Sequence, residues 1–475
     1  MPSFTFYSVQ PSGTTSRKTK SSMFRRKTGN LLICRVLKGH FKEFPLHTLV
    51  SAGRIFPAPA RLDLHFAVTS VLSGPMEPKK ILGIHAPHAF RSVAFAQLIM
   101  EGQGAALVSP LQYDEIDTGE VEPVRCLRNA LWLCVHGGTP FAVYMNREEQ
   151  HGRPGGINLE IAVPPGEQGS ELVRTLFRDI ERAVSKAGSY RGKVLSLDAS
   201  DNYWGGVEGV RVHRLKTVER DQVILPQKTL GLLERNVASF AAQRPRLREM
   251  QMGIKKGLLF YGPPGTGKTH TIHYLASQMK EHTTLLITAD QVALLDAYMQ
   301  LARFLQPAIV VIEDADLIAR SRAAMHSPCE ESLLNRLLNE MDGLREDAMV
   351  LFILTTNRPD QLEQALTSRP GRIDQAIEFP LPDDEGRRKL LHLYSGSLEL
   401  PDDLMSFLVK KTAGGSGAFI KELMRRSAQF LLESGDQGLE DWHIEAALDE
   451  MLFSGGSLNA KLLGLASQGP GFHAE

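Results

Sequence analysis

The chain has only four cysteines in 475 residues, Cys34, Cys126, Cys134 and Cys329. None forms a C-x-x-C pair, which argues against a zinc ribbon or a thioredoxin-like redox site. Scattered thiols in a chain of this length fit a reducing cytoplasm. Neither charge sign is in excess, with 54 Lys and Arg against 54 Asp and Glu. A dedicated nucleic-acid binder carries a basic surplus, so no nucleic-acid partner is expected, although a local basic patch is compatible with neutrality. No apolar run is long enough to span a bilayer, no signal-peptide pattern precedes the globular part, and no internal repeat is visible. What remains is ordinary for a globular protein: 43% hydrophobic and 23% charged residues, with length for two or three domains.

The first 75 residues stand apart. They hold eleven Lys or Arg against two acids, Glu43 and Asp63, and the first thirty are rich in Ser, Thr, Lys and Arg. This composition predicts a basic, disordered segment over 1–75. A targeting peptide and a later translation start, at Met23 or Met76, are the alternatives. A mixed α/β domain is expected over 76–215, with strands at Ala130–Val135, Pro140–Tyr144, Asn158–Val163 and Gly192–Leu197. Its amphipathic helix, Gly169–Lys186, repeats Leu172, Leu176, Ile180 and Val184. Its histidines, His136, His151 and His213, are far apart and read as surface or satisfied groups.

Beyond 216, a helical stretch from Leu230 to Met250 leads into alternating strand and helix patterns, which imply a parallel sheet with crossover helices over 216–380. The strands are placed at Gly257–Tyr261, Thr284–Thr288, Ala308–Ile312, Met349–Thr355 and Gln375–Phe379. Residues 381–455 read as a helical lid and 456–475 as a flexible tail.

One loop carries the strongest chemistry. Gly262-Pro263-Pro264-Gly265-Thr266-Gly267-Lys268-Thr269 matches G-x-x-x-x-G-K-[ST] and lies between an apolar strand and a helix that opens at His270. Glycines let the backbone wrap a phosphate, successive N–H groups form an anion nest, and the helix adds its positive end. Residues 262–270 are therefore the candidate nucleotide-binding residues, with Lys268 on the β- and γ-phosphates of ATP and Thr269 on Mg²⁺. A second element, Glu313-Asp314-Ala315-Asp316, follows the buried run Ile309–Ile312, where a doubly wound sheet places its ligands. Glu313 is assigned to the metal and Asp314 to the attacking water. Asn357, after the strand ending at Thr355, is a further candidate for holding that water. Arg369 and Arg372, in Ser-Arg-Pro-Gly-Arg-Ile-Asp, suit an arginine finger.

Together these motifs resemble the AAA subfamily of AAA+ ATPases. The resemblance rests on 262–269, the acidic strand tip 309–316, Leu-Leu-Asn-Glu-Met-Asp-Gly-Leu at 337–344, Thr-Thr-Asn at 355–357 and Arg-Pro-Gly-Arg-Ile-Asp at 369–374, and covers about Val223 to Leu452. It implies a P-loop core with a five-stranded parallel sheet, a helical lid and a ring, usually a hexamer, with Arg369 and Arg372 serving the neighbour's nucleotide. Within the subfamily the ATPase domain is most similar to the mitochondrial family that translocates the Rieske protein. The lead-in Gln222-Val-Ile-Leu-Pro226 and the Glu-Asp order at 313–314 carry that likeness, but that family's transmembrane helix is not expected here.

Two departures bear on mechanism. Asp314 is one methylene shorter than the glutamate usual at its position, which suggests slow hydrolysis. Between Asp290 and Arg303 there is no aromatic–hydrophobic–Gly pore loop, and Tyr298 reads as a helix-packing residue. The expected function is therefore a cytoplasmic, Mg²⁺-dependent ATPase that remodels an unknown protein or complex held by the N-terminal unit, without threading it. A slow nucleotide-gated switch or scaffold is the alternative, and a DNA-handling role is disfavoured by the neutral charge.

Overall fold

The computed structural model describes residues 31–76, 78–86, 93–102, 104–150, 153–199, 207–317, 333–345, 347–362 and 371–451. The described part of the first unit starts at residue 31, well inside the stretch expected to be disordered. Its strands are β1 (Val50–Phe56), β2 (Lys80–His85), β3 (Leu107–Ser109), β4 (Tyr113–Ile116), β5 (Val124–Leu127), β6 (Ala130–His136), β7 (Thr139–Gln150) and β8 (Arg153–Val163). Six of them form an antiparallel sheet in the order β1-β8-β7-β6-β2-β3.

Both faces of this sheet are covered, which explains why β6 reads as a continuous apolar run rather than an alternation. Trp132 and Cys134 face one core with the helices Arg61–Val71 and Glu167–Lys186, while Leu131 and Leu133 face the other with the helix Ile33–Phe41. The disorder expected for 1–75 fails over 31–75 because net composition hides periodicity. Ile33, Cys34, Leu37 and Phe41 line one buried helix face, and the basic residues between them stay in solvent. Burial pushes the Cys126 thiol up to about 11 and Cys134 up to about 12.

The second unit corrects the boundary expected at 215. Its strands are β9 (Val194–Ala199), β10 (Val207–His213), β11 (Lys256–Tyr261), β12 (Thr283–Ile287), β13 (Ala308–Ile312), β14 (Val350–Thr356) and β15 (Gln375–Glu378). They form one seven-stranded sheet, β10-β9-β12-β13-β14-β11-β15. Five strands are the parallel core anticipated from sequence. β9 extends it in parallel from β12, and β10 closes the edge antiparallel to β9. The strand expected at 192–197 thus belongs to this sheet and not to the first unit. Leu195 and Leu197 are fully buried there, each burial contributing roughly 1.5–3 kcal/mol.

The addition is stitched in place. Gly192 N donates to Thr283 Oγ1 at 3.2 Å. The Tyr298 hydroxyl accepts from Leu197 N at 2.8 Å and donates to Gln291 Oε1 at 3.0 Å, while Gln291 Nε2 donates to Leu197 O at 3.2 Å. Arg191 donates to the carbonyls of Phe304 and Gln306. Tyr298 is fully buried, consistent with a packing residue.

Helices flank both faces of the sheet. The helical stretch expected from Leu230 to Met250 is two α-segments over 227–249 joined by a π-helical turn at Glu234–Ser239. The helices Asp384–Ser395, Asp402–Lys411, Gly417–Ser434 and Asp441–Asp449 pack around their own core. Among the described residues, no helix is long and apolar enough to cross a membrane.

Candidate functional site

The loop 262–267 leaves β11 and turns into the helix Lys268–Gln278. Its backbone needs glycine at two places for different reasons. A Cβ on Gly262, at φ 148°, would lie 2.2 Å from the Phe379 carbonyl oxygen. One on Gly265, at φ 76°, would lie 2.7 Å from Ser416 Oγ and 2.8 Å from Ala418 Cβ. The second contact shows how closely the lid approaches, and Ala418 N donates to Gly265 O at 3.1 Å.

Lys268 folds back over the loop. Its ammonium donates to Gly262 O and Pro263 O, both at 2.9 Å. Burial pulls its pKa down to about 8, against the opposing pull of Asp314 and Asp316. The next residue, Thr269, donates its hydroxyl to Glu313 Oε1 at 2.8 Å. Glu313 leaves the tip of β13, with its N–H donating to Ile287 O at 3.0 Å. Asp314 follows with φ 49°, a left-handed conformation that Asp tolerates better than most residues because its short side chain bonds locally. Its N–H donates to Thr355 Oγ1 at 3.1 Å, and its carboxylate accepts from Asn357 Nδ2 at 3.2 Å.

Lys268, Thr269, Glu313, Asp314 and Asn357 therefore converge at the C-terminal ends of β11, β13 and β14. His270 lies at the rim, its Nε2 3.1 Å from Gln222 O. A cleft of about 1220 Å³ opens from there between the segment Gln222–Pro226 and the lid residues Leu390, Tyr394, Gly417, Ala418 and Lys421. Thr269 and Glu313 offer hard oxygen donors 2.8 Å apart. Among the described residues no group of three or more His, Cys, Asp or Glu is able to hold a metal alone. This donor set fits Mg²⁺, which is typically held by one or two protein oxygens together with phosphate and water.

Two further acceptors here were not singled out in the sequence. Thr355 holds the Asp314 backbone. Asp316, 4% exposed, accepts from Thr356 Oγ1 at 2.8 Å and from Asn357 N at 3.4 Å. The signal available for Asp316 was its place in the acidic tip, two residues after Asp314, in the helical turn that follows β13.

Arg372 is remote from this cluster. A Cβ on Gly257 would lie 2.0 Å from Arg372 O, so Arg372 sits by the start of β11, and the phosphate loop leaves its far end. At the usual rise per residue those ends are about 17 Å apart. The Arg372 guanidinium pairs with Asp342 on the helix Leu333–Asp342, and its Nη1 is buried with no partner among the described residues. Arg369 lies outside the described residues.

Residues 258–381 match the family described as "ATPase family associated with various cellular activities (AAA)". The chain is 30% identical over 231 residues to the ATP-dependent zinc metalloprotease FtsH of Thermus thermophilus, covering 46% of this chain and 37% of that one. It is 33% identical over 266 residues to the ATPase family protein 2 homolog of Caenorhabditis elegans, covering 53% and 34%. It is 30% identical over 240 residues to the proteasome-activating nucleotidase of Methanothermobacter thermautotrophicus, covering 48% and 58%. In each case the chain spans less than two thirds of its relative.

Proposed function

We propose, on the premise that the chain carries an AAA family domain over residues 258–381, that it binds ATP with Mg²⁺ and hydrolyses it. The observation that carries the reading is the meeting of two side-chain pairs beyond Lys268: Thr269 with Glu313, and Asn357 with Asp314. The first pair suits a metal-holding role and the second suits a water-holding role. When nucleotide enters, Lys268 exchanges the carbonyls of Gly262 and Pro263 for phosphate oxygens. Thr269 and Glu313 would hold Mg²⁺, which when bound neutralises phosphate charge. Asn357 and Asp314 orient the attacking water, and Asp314 takes its proton. Phosphate release tests the reading. Lys268→Ala should lose nucleotide affinity, whereas Asp314→Asn should keep it and lose turnover. Equal turnover in both variants and the native chain would overturn the assignment.

Ring assembly, a hexamer by resemblance, follows the same reading and is supported by Arg372, which sits too far from its own loop to serve it. The N-terminal unit, which leads directly into β9 and β10 of the second sheet, is the natural holder of a protein or complex to be remodelled. A buried Tyr298 supports a non-threading mode, since that ring is not free to grip a polypeptide. The nearest AAA branch in this reading remains the Rieske-translocating family, and buried free thiols suit a reducing compartment such as the cytoplasm. One observation favours the second reading, a slow nucleotide-gated switch. Asp314 is one methylene shorter than a glutamate and sits in a left-handed backbone conformation, so its carboxylate reaches less far toward a water at the γ-phosphate.

A further inference from the structure

Asp316 is a carboxylate at 4% exposure, and no ion pair to it is found among the described residues. A buried charge of this kind is costly unless its hydrogen bonds do something a neutral residue would not. Its Oδ1 accepts from the Thr356 hydroxyl at 2.8 Å and from Asn357 N at 3.4 Å. The same hydroxyl accepts from Arg358 N at 2.9 Å. Asp316 thus fixes the hydroxyl of Thr356, and with it the backbone on both sides of Asn357. Asn357 then presents its amide to Asp314 at 3.2 Å. A carboxylate only accepts, so it leaves Thr356 one option, to donate to Asp316 and accept from Arg358. Bonds to an ionised acceptor are also about twice as strong as neutral ones.

We infer that Asp316 is a positioning residue for the proposed hydrolysis: through Thr356 it aims Asn357 at the Asp314 carboxylate. The inference rests on the ATPase reading. It is tested in the full-length chain by phosphate release and by titration with a fluorescent ATP analogue. Asp316→Asn should lower kcat by about 10- to 100-fold, the scale of an ångström-level misplacement, and change analogue Kd less than about threefold. Thr356→Val, which removes the linking hydroxyl without touching the carboxylate, should reproduce the loss, and Thr356→Ser should restore near-native turnover. Adding Asp316→Asn to Asn357→Ala should cost nothing further, because both act through one group.

A native chain without Mg²⁺-dependent turnover would overturn the ATPase reading and this inference with it. Native turnover combined with multiplying effects in the double variant, or with a fully active Thr356→Val, would overturn the positioning role alone. An Asp316→Asn chain that fails to fold shifts the decision to the Thr356 pair, whose hydroxyl is the predicted route.

Discussion

The Thr269 hydroxyl donates to Glu313 Oε1 at 2.8 Å, joining the first turn of the phosphate-loop helix to the tip of β13. Those two side chains come from different motifs and meet at one point. Thr269→Val should therefore raise the Mg²⁺ concentration for half-maximal phosphate release by about 10- to 100-fold, as loss of a metal-site group typically does. Nucleotide binding in EDTA should be unchanged. A metal titration of turnover checks this, and an unshifted midpoint would remove Thr269 from the metal site.

Arg372 lies at the opposite end of β11 from the phosphate loop and pairs with Asp342. It should act on a neighbouring molecule. Arg372→Ala should keep nucleotide affinity and lose on the order of a thousandfold in turnover. Mixing Arg372→Ala protomers with Asp314→Asn protomers should recover part of that turnover, since some pockets then combine an intact Asp314 with a neighbour's intact Arg372. No recovery across mixing ratios would place Arg372 in a structural role.

Gly265 separates the loop from the lid. Gly265→Ala meets both a left-handed backbone and contacts at 2.7 and 2.8 Å with Ser416 and Ala418. The expected cost is about 1–3 kcal/mol, drawn from loop–lid closure. Faster proteolysis of the 384–449 helices and weaker nucleotide binding should appear together, and a native cleavage rate would count against direct loop–lid coupling.

His282 sets an acid limit on stability. Burial, reinforced by the Arg244 guanidinium 3.4 Å away, pulls it from 6.5 down to about 4. The folded chain holds it neutral while the unfolded chain takes a proton, so stability is full above about 6.5 and is lost as pH falls toward 4. After allowance for partial exposure the loss is about 2 kcal/mol. Denaturant melts of the native chain and His282→Gln across that window should converge as pH falls, because the variant carries no such proton uptake.

Much of the nucleotide unit was legible because its signals are local. A strand, a glycine loop and a helix were expected in that order around 262–269, and β11 and the helix Lys268–Gln278 lie on either side of the loop; the buried run 309–312 coincides with β13 within a residue. The assignment of β9 to the ATPase sheet was not legible. Val194–Ala199 reads as a strand from its own residues, but which sheet it joins depends on β12, some ninety positions later. The helix at 33–41 was hidden for another reason: the eleven Lys and Arg of residues 1–75, of which the helix holds only Arg35 and Lys38, dominated the count, while four apolar residues on one face decided the fold. Asp316 was visible as an acid but not as an acceptor, since its partner Thr356 is forty residues away and is reached only when β13 and β14 lie side by side.

The extension of the sheet by β9 and β10 also determines where the chain can be cut. A fragment started at the apparent boundary of 215 would strip both strands from β12, leaving its N–H and C=O row bare on that side and Tyr298 without the backbone group it holds. Such an open edge invites pairing between chains, so a fragment truncated in this way would be prone to aggregate. A usable fragment of the second unit has to start before Gly192, and it would then carry the connection to the N-terminal unit with it.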